Sequence, residues 1–201
     1  MFVTLNDHRR LGALLLVLLL GAASLASAET TPTGPPPPDS SGVDPKAEWE
    51  AWTQRVKTER QPAELFPSAA TVRAYGGQES LVVGPHDAIL TYRLEPSGSS
   101  TKVPAKGGEK LTDAEIATLR GSVFFAPPPP AIAMCCIPRH GFAFYDRGGH
   151  LLGLLRVCFQ CGCAQIDPSP PHDPALNEIV WDRAAIRTIL EAHHLSVAPS
   201  R

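Results

Sequence analysis

Residues 134–163 read MCCIPRHGFAFYDRGGHLLGLLRVCFQCGC, and the reading of this stretch decides the fold. Residues 141–146 and 150–161 are apolar and β-prone, and Gly148-Gly149 lies between them. A Gly-Gly pair suits a two-residue hairpin turn, because both of its positions need positive φ. With that turn, residues whose numbers sum to 297 face each other: Phe142 and Leu155, His140 and Val157, Cys136 and Cys161. Alternation then gathers Phe142, Phe144, Leu155, Val157 and Phe159 on the face that packs against helices. The other face carries Ala143, Tyr145, Arg139, Arg156 and Cys158.

All five cysteines of the chain lie in this stretch. Opposed cross-strand residues sit at Cα separations that overlap disulfide geometry, so Cys136–Cys161 is one candidate bridge. A register shift near Pro138 or the glycine-rich end makes it Cys136–Cys158 instead. Cys158 and Cys161 are three apart and converge only if the chain curls there.

Three functional readings follow. In the first, one or two disulfides staple the hairpin end, worth about 2–4 kcal/mol each, and one thiol is left over. In the second, Cys136, His140, Cys158 and Cys161 form a Cys3His set suited to tetrahedral zinc, with Cys135 and Cys163 as spare ligands. Soft thiolates also suit Cu(I). In the third, Cys158 or Cys161 is redox-active, or a cysteine is activated by His140. A redox Cys-x-x-Cys normally opens a helix, whereas this one ends a strand. His140 itself reads first as a core histidine bonded to backbone. Arg139 and Arg156 lie on the opposite face, where they bind a carboxylate or are simply solvated.

The pattern Cys-x-Pro-Arg-His-Gly-Phe-x-Phe-Tyr-Asp, a glycine turn, an apolar strand and Val-Cys-Phe-x-Cys resembles a group of small exported or lipoprotein-like bacterial proteins of unknown function. In that group a Cys-x-Pro-(Arg/His)-His segment precedes an Ile-Cys-Phe-x-Cys segment, and a C-terminal helix follows. The resemblance covers residues 136–195. It carries over Cys136, His140, Cys158 and Cys161 as the shared set, with Cys135 and Cys163 as additions, and it implies no reaction.

The N-terminus reads as an address. Arg9 and Arg10 precede an apolar run that ends in Ala26-Ser27-Ala28, a small-x-small cleavage pattern. Residues 1–28 are therefore expected to be a signal peptide cut near Ala28, giving a periplasmic or secreted protein in an oxidising compartment. Residues 29–43 are rich in Pro, Ser, Thr and Gly and read as a linker. Residues 44–201 are expected to form a single domain.

The formal net charge is −2, and no block of like charge stands out. That argues against nucleic acid as a partner and leaves the export signal as the only membrane contact. A protein partner in the cell envelope is compatible with these features, and no substrate is specified. No catalytic motif is present, so the chain leans towards a non-enzymatic role without a cofactor unless the cysteines hold zinc or copper.

Several local signals place the remaining elements. Asp44-Pro45 caps a helix ending near Arg60, with Trp49 and Trp52 read as core residues. Residues 81–83 and 88–94 read as strands, residues 95–110 as a loop, and residues 123–125 as a further strand. Thr112 and Glu115 make a capping box for a helix that stops at Gly121, and Asp182 caps the last helix, with Trp181 stapled on Ile186. His193 and His194 sit at that helix's C-terminus, where the dipole favours imidazolium. The expected fold is α+β: an antiparallel sheet of about four to five strands with helices on one face and a C-terminal helix.

Overall fold

A computed structural model describes residues 44–77, 79–130 and 136–197. The signal peptide and linker expected within residues 1–43, and Cys135, lie outside the described residues. The chain opens with α1 (Pro45–Glu59), β1 (Gln61–Pro62), β2 (Thr71–Gly76), β3 (Leu81–Val83) and β4 (Ile89–Leu94). It continues through β5 (Ser100–Pro104), β6 (Lys106–Lys110), α2 (Asp113–Gly121) and β7 (Val123–Ala126). It closes with β8 (His140–Tyr145), β9 (Leu151–Val157), β10 (Ala164–Asp167), β11 (Glu178–Trp181) and α3 (Arg183–Ala192). The fold is α+β, as expected.

The hairpin forms the middle of a five-stranded antiparallel sheet in the order β10-β9-β8-β2-β6. From His140↔Val157 to Phe144↔Gly153 the pairing follows the expected register. The turn differs: it is three residues long, Arg147-Gly148-Gly149, and of the two glycines only Gly149 takes a positive φ, 84°. The Asp146 amide donates to the His150 carbonyl at 2.9 Å, and the Asp146 carboxylate accepts from the His150 amide at 2.9 Å. A bulge at Phe144/Tyr145 leaves Leu152 as the extra residue. That one residue absorbs the longer turn, which is why the register below it survives.

Both faces of the hairpin are covered. Phe142, Phe144, Leu155, Val157 and Phe159 join Leu119 of α2 and Ile186, Ile189 and Leu190 of α3 in one core. Ala143 and Leu154, on the other face, pack with Leu81 and Ile89. Those two residues belong to a second, three-stranded sheet in the order β3-β4-β5. The expected helical layer is therefore present on one face, and a small sheet closes the other. A third sheet, β1-β7-β11, borders the helical side.

The helix caps follow their sequence signals. Asp44 accepts from the Lys46 amide with Pro45 opening α1, and Thr112 and Glu115 cap α2 reciprocally. Asp182 accepts from the amides of Ala184 and Ala185 at the start of α3. The tryptophan pair departs from expectation: α1 buries none of its residues, and Trp49 is 43 % exposed. Trp52 is half-buried, edge-on to Trp49 at 5.1 Å, and its indole N–H donates to the Pro127 carbonyl at 2.9 Å. The helical residues of the core come from α2 and α3, and α1 supplies none of them. Residues 95–110, expected as a loop, contribute β5 and β6.

Candidate functional site

The cysteines meet where β9 turns into β10. The strand expected to run on to Cys161 stops at Val157, and the chain curls back. The Cys158 amide donates to the Cys163 carbonyl and the Gly162 amide to the Cys158 carbonyl, each at 2.9 Å. Gly162 makes the reversal with a φ of 73°, a region glycine enters without a Cβ penalty. Because Val157 pairs with Ala164, Cys158 and Cys163 are the next opposed pair and close the turn.

That curl changes the bridge. Cys136 is disulfide-bonded to Cys163, with a Cα–Cα separation of 5.9 Å, and to neither Cys161 nor Cys158. A straight β9 would have carried Cys161 opposite Cys136. The reversal instead lifts Cys161 into the loop and returns Cys163 to the position beside Cys136. Cys158 and Cys161 remain free thiols, the first buried and the second partly exposed.

The free thiols stay within reach of the bridge. The Sγ atoms of Cys158, Cys161 and Cys163 all lie within 4.8 Å of one another, close enough to share a metal ion once Cys163 is released from its bridge. Cys161 and Cys163 stand 3.9 Å apart. The Cys161 amide also donates to the Cys158 sulfur, 3.4 Å away. The Cys158-x-x-Cys161 segment thus lies in a turn between strands and does not open a helix.

The turn is held from outside. The Trp181 indole donates to the Gly162 carbonyl at 3.0 Å, and the Arg183 guanidinium donates to the Phe159 carbonyl. Phe159 is clamped edge-on between the rings of His140 and Trp181, at 5.7 and 4.9 Å. Arg187 stands over the same ring at 5.7 Å. Tethering both carbonyls of the loop limits the positions its sulfurs can take.

His140 is close to this cluster without being one of the grouped ligands. It is 8 % exposed, and its Nε2–H donates to the Ser196 carbonyl at 2.9 Å. A carbonyl only accepts, so that nitrogen carries the proton. Burial lowers the His140 pKa below its ordinary value; the Ser196 bond opposes this, and the Arg139 charge adds to it. The side chain thus sits as a backbone-bonded core histidine, the first of its sequence readings. Of the expected Cys136, His140, Cys158 and Cys161 set, the fold groups the sulfurs of Cys158 and Cys161 with that of Cys163, to which Cys136 is bonded, and leaves His140 outside the group. Cys163 was the residue undervalued by sequence reasoning. The signal for it was Gly162 followed by the alternating Ala164–Asp167 segment, which together mark a second hairpin.

Arg156 does not present a free carboxylate site. It donates to the Leu81 carbonyl at 3.4 Å and lies 4.0 Å from the Asp167 carboxylate. His193 caps α3 and its Nε2–H donates to Glu115 at 3.2 Å, joining the end of α3 to the capping box of α2. Among the described residues no helix is long and apolar enough to cross a membrane. Comparison with protein-family models, curated proteins and solved structures finds no match.

Proposed function

We propose that the protein is an exported, non-enzymatic domain of the bacterial envelope or its surroundings, whose sulfur cluster is structural. The observation that carries this reading is the Cys136–Cys163 bridge, which ties the segment entering β8 to the turn between β9 and β10. The sequence separation is 27 residues, and closing such a loop in the unfolded chain stabilises the fold by about 3–4 kcal/mol on the chain-entropy account. The secretory reading of residues 1–28 supports it, because an oxidising compartment preserves such a bond. So does the resemblance to small exported bacterial proteins with a Cys-x-Pro-(Arg/His)-His and (Ile/Val)-Cys-Phe-x-Cys pattern. Mass spectrometry of unreduced protein tests it: a cross-linked peptide pair containing Cys136 and Cys163 is expected. A fully reduced thiol inventory from an oxidising compartment would overturn it.

A second reading is favoured by the three sulfurs within 4.8 Å of one another: the cluster binds a soft metal ion, zinc or Cu(I). Native mass spectrometry of protein purified without chelator tests this directly. A stoichiometric metal adduct supports it, and protein that stays metal-free after incubation with zinc or Cu(I), both as purified and after reduction, removes it.

A further inference from the structure

We propose that the staple and the metal site are two alternative states of the same four sulfurs. Reduction of the Cys136–Cys163 bridge completes a four-thiolate zinc site made of Cys136, Cys158, Cys161 and Cys163, and oxidation dismantles it. This rests on the metal-binding reading and adds to it the fourth ligand, the identity of the ion and its control.

Four thiolates at about 2.3 Å from zinc stand about 3.8 Å apart on the edges of a tetrahedron. Cys161 and Cys163 already stand 3.9 Å apart. Cys158 lies within 4.8 Å of both, so it closes by at most about 1 Å. Cys136 stands outside that group of three but is bonded to one of its members, Cys163, so once the bridge is reduced its sulfur starts beside the cluster. Its segment is fixed as well: the Leu81 amide donates to the Pro138 carbonyl at 3.2 Å, and the Gly77 amide to the Arg139 carbonyl at 2.7 Å.

Charge favours the same set. A zinc ion with four thiolates carries two net negative charges. Arg139 lines the same cleft as Cys158 and Phe159, while Arg183 and Arg187 sit on the Phe159 carbonyl and ring. The amide aimed at the Cys158 sulfur adds a fixed dipole of the right sign. A tetrahedron of four thiolates is a standard closed zinc set, and of the two soft ions considered above zinc is the one this geometry matches.

The electrons and protons balance as follows. A dithiol reductant delivers two electrons and two protons to the Cys136–Cys163 bond, leaving two thiols and the reductant's own disulfide. One Zn²⁺ then displaces the protons of four thiols into solvent. A disulfide oxidant accepts two electrons from Cys136 and Cys163, restores their bond and leaves the ion with two ligands, too few to retain it.

The test uses the full chain carrying Cys135→Ser, which removes the fifth thiol, with Zn²⁺ and Co²⁺ as probes. Affinity is measured in the reduced and the oxidised protein, and the Co²⁺ thiolate charge-transfer band reports how many sulfurs bind. The reduced chain is expected to bind one ion with a four-thiolate spectrum, at least about 100-fold more tightly than the oxidised chain, since even the loss of a supporting contact costs 10–100-fold. Adding Cys136→Ser should cost affinity and one thiolate in the spectrum. Cys161→Ser, which leaves the bridge intact, should do the same while sparing the stability of the oxidised protein. Equal affinity in both redox states overturns the inference and leaves the metal-binding reading standing. A His140→Asn loss that matches Cys136→Ser, with a three-thiolate spectrum throughout, overturns the four-sulfur set. No binding in either state removes the metal-binding reading and the inference with it.

Discussion

Cys158 and Cys163 face each other across the mouth of the β9–β10 turn, the amide of one donating to the carbonyl of the other at 2.9 Å. Only Cys163 is bonded to Cys136, so the cysteines are unequal in what they contribute to stability. Cys136→Ser or Cys163→Ser should lower the stability of oxidised protein by about 3–4 kcal/mol, and the pair together by little more than either alone. Cys161→Ser, partly exposed and outside the bridge, should fall within about 0.5 kcal/mol of the parent. Urea unfolding without reductant measures all four, and a Cys161→Ser loss as large as that of Cys136→Ser would contradict the bridge.

The burial of His140 predicts an acid-sensitive fold. The folded pKa lies below the ordinary value of 6.5, so between the two values the unfolded chain binds more protons. The stability that neutral His140 contributes is complete above about 6.5 and is lost as the pH falls towards the folded value. The midpoint of urea unfolding should decline from pH 7.5 to 5.5 in the parent and decline less in His140→Phe. Identical slopes would mean that another group governs the acid limb.

Glu115 predicts a second, lower window. Its desolvation raises the pKa, but the amide and hydroxyl of Thr112 and the nearby His193 outweigh that and hold it below its ordinary value. Its stabilisation is therefore present above an ordinary carboxylate value of about 4.3 and fades as the pH falls through the folded value. Glu115→Ala should cost about 1–2 kcal/mol at neutral pH, and a double-mutant cycle with His193→Ala should show coupling of at least about 0.5 kcal/mol. Additive losses would show that the contact between α2 and α3 contributes nothing.

Gly153 should tolerate no side chain. A Cβ built there would stand 2.0 Å from the Phe66 ring and 2.8 Å from the Asp167 carbonyl. Phe66 packs on Phe144 with ring centroids 4.9 Å apart, so it cannot swing aside freely. Gly153→Ala is expected to destabilise by about 1–3 kcal/mol in thermal or urea unfolding. A neutral result would mean that the Phe66 ring relocates without cost.

What could be read in the sequence was local. Asp44, Thr112 with Glu115, and Asp182 announce their helices because capping is settled within four residues. The hairpin register was legible because alternation marks one face, and Leu152 corrected for a turn of the wrong length. The misreadings concern partners distant in sequence. β2 looks unremarkable alone, but it lies between β8 and β6, where Val72 and Ala74 are fully buried. β5 and β6 are rich in Lys, Gly and Ser and pair only because β4 and β2 offer them an edge. Trp49 and Trp52 have helical spacing without a core to enter. The cysteine pairing failed for the same reason: it depends on where β9 ends, and that is decided by its return as β10.

Helix α1 holds two of the three tryptophans and gives nothing to the interior. A shortened chain beginning at Gln61 would keep its hydrophobic packing and a single indole, Trp181, tethered to the loop that carries the thiols. The fluorescence of that trimmed protein would come from one reporter lodged against the sulfur cluster, an optical readout supplied without any added label.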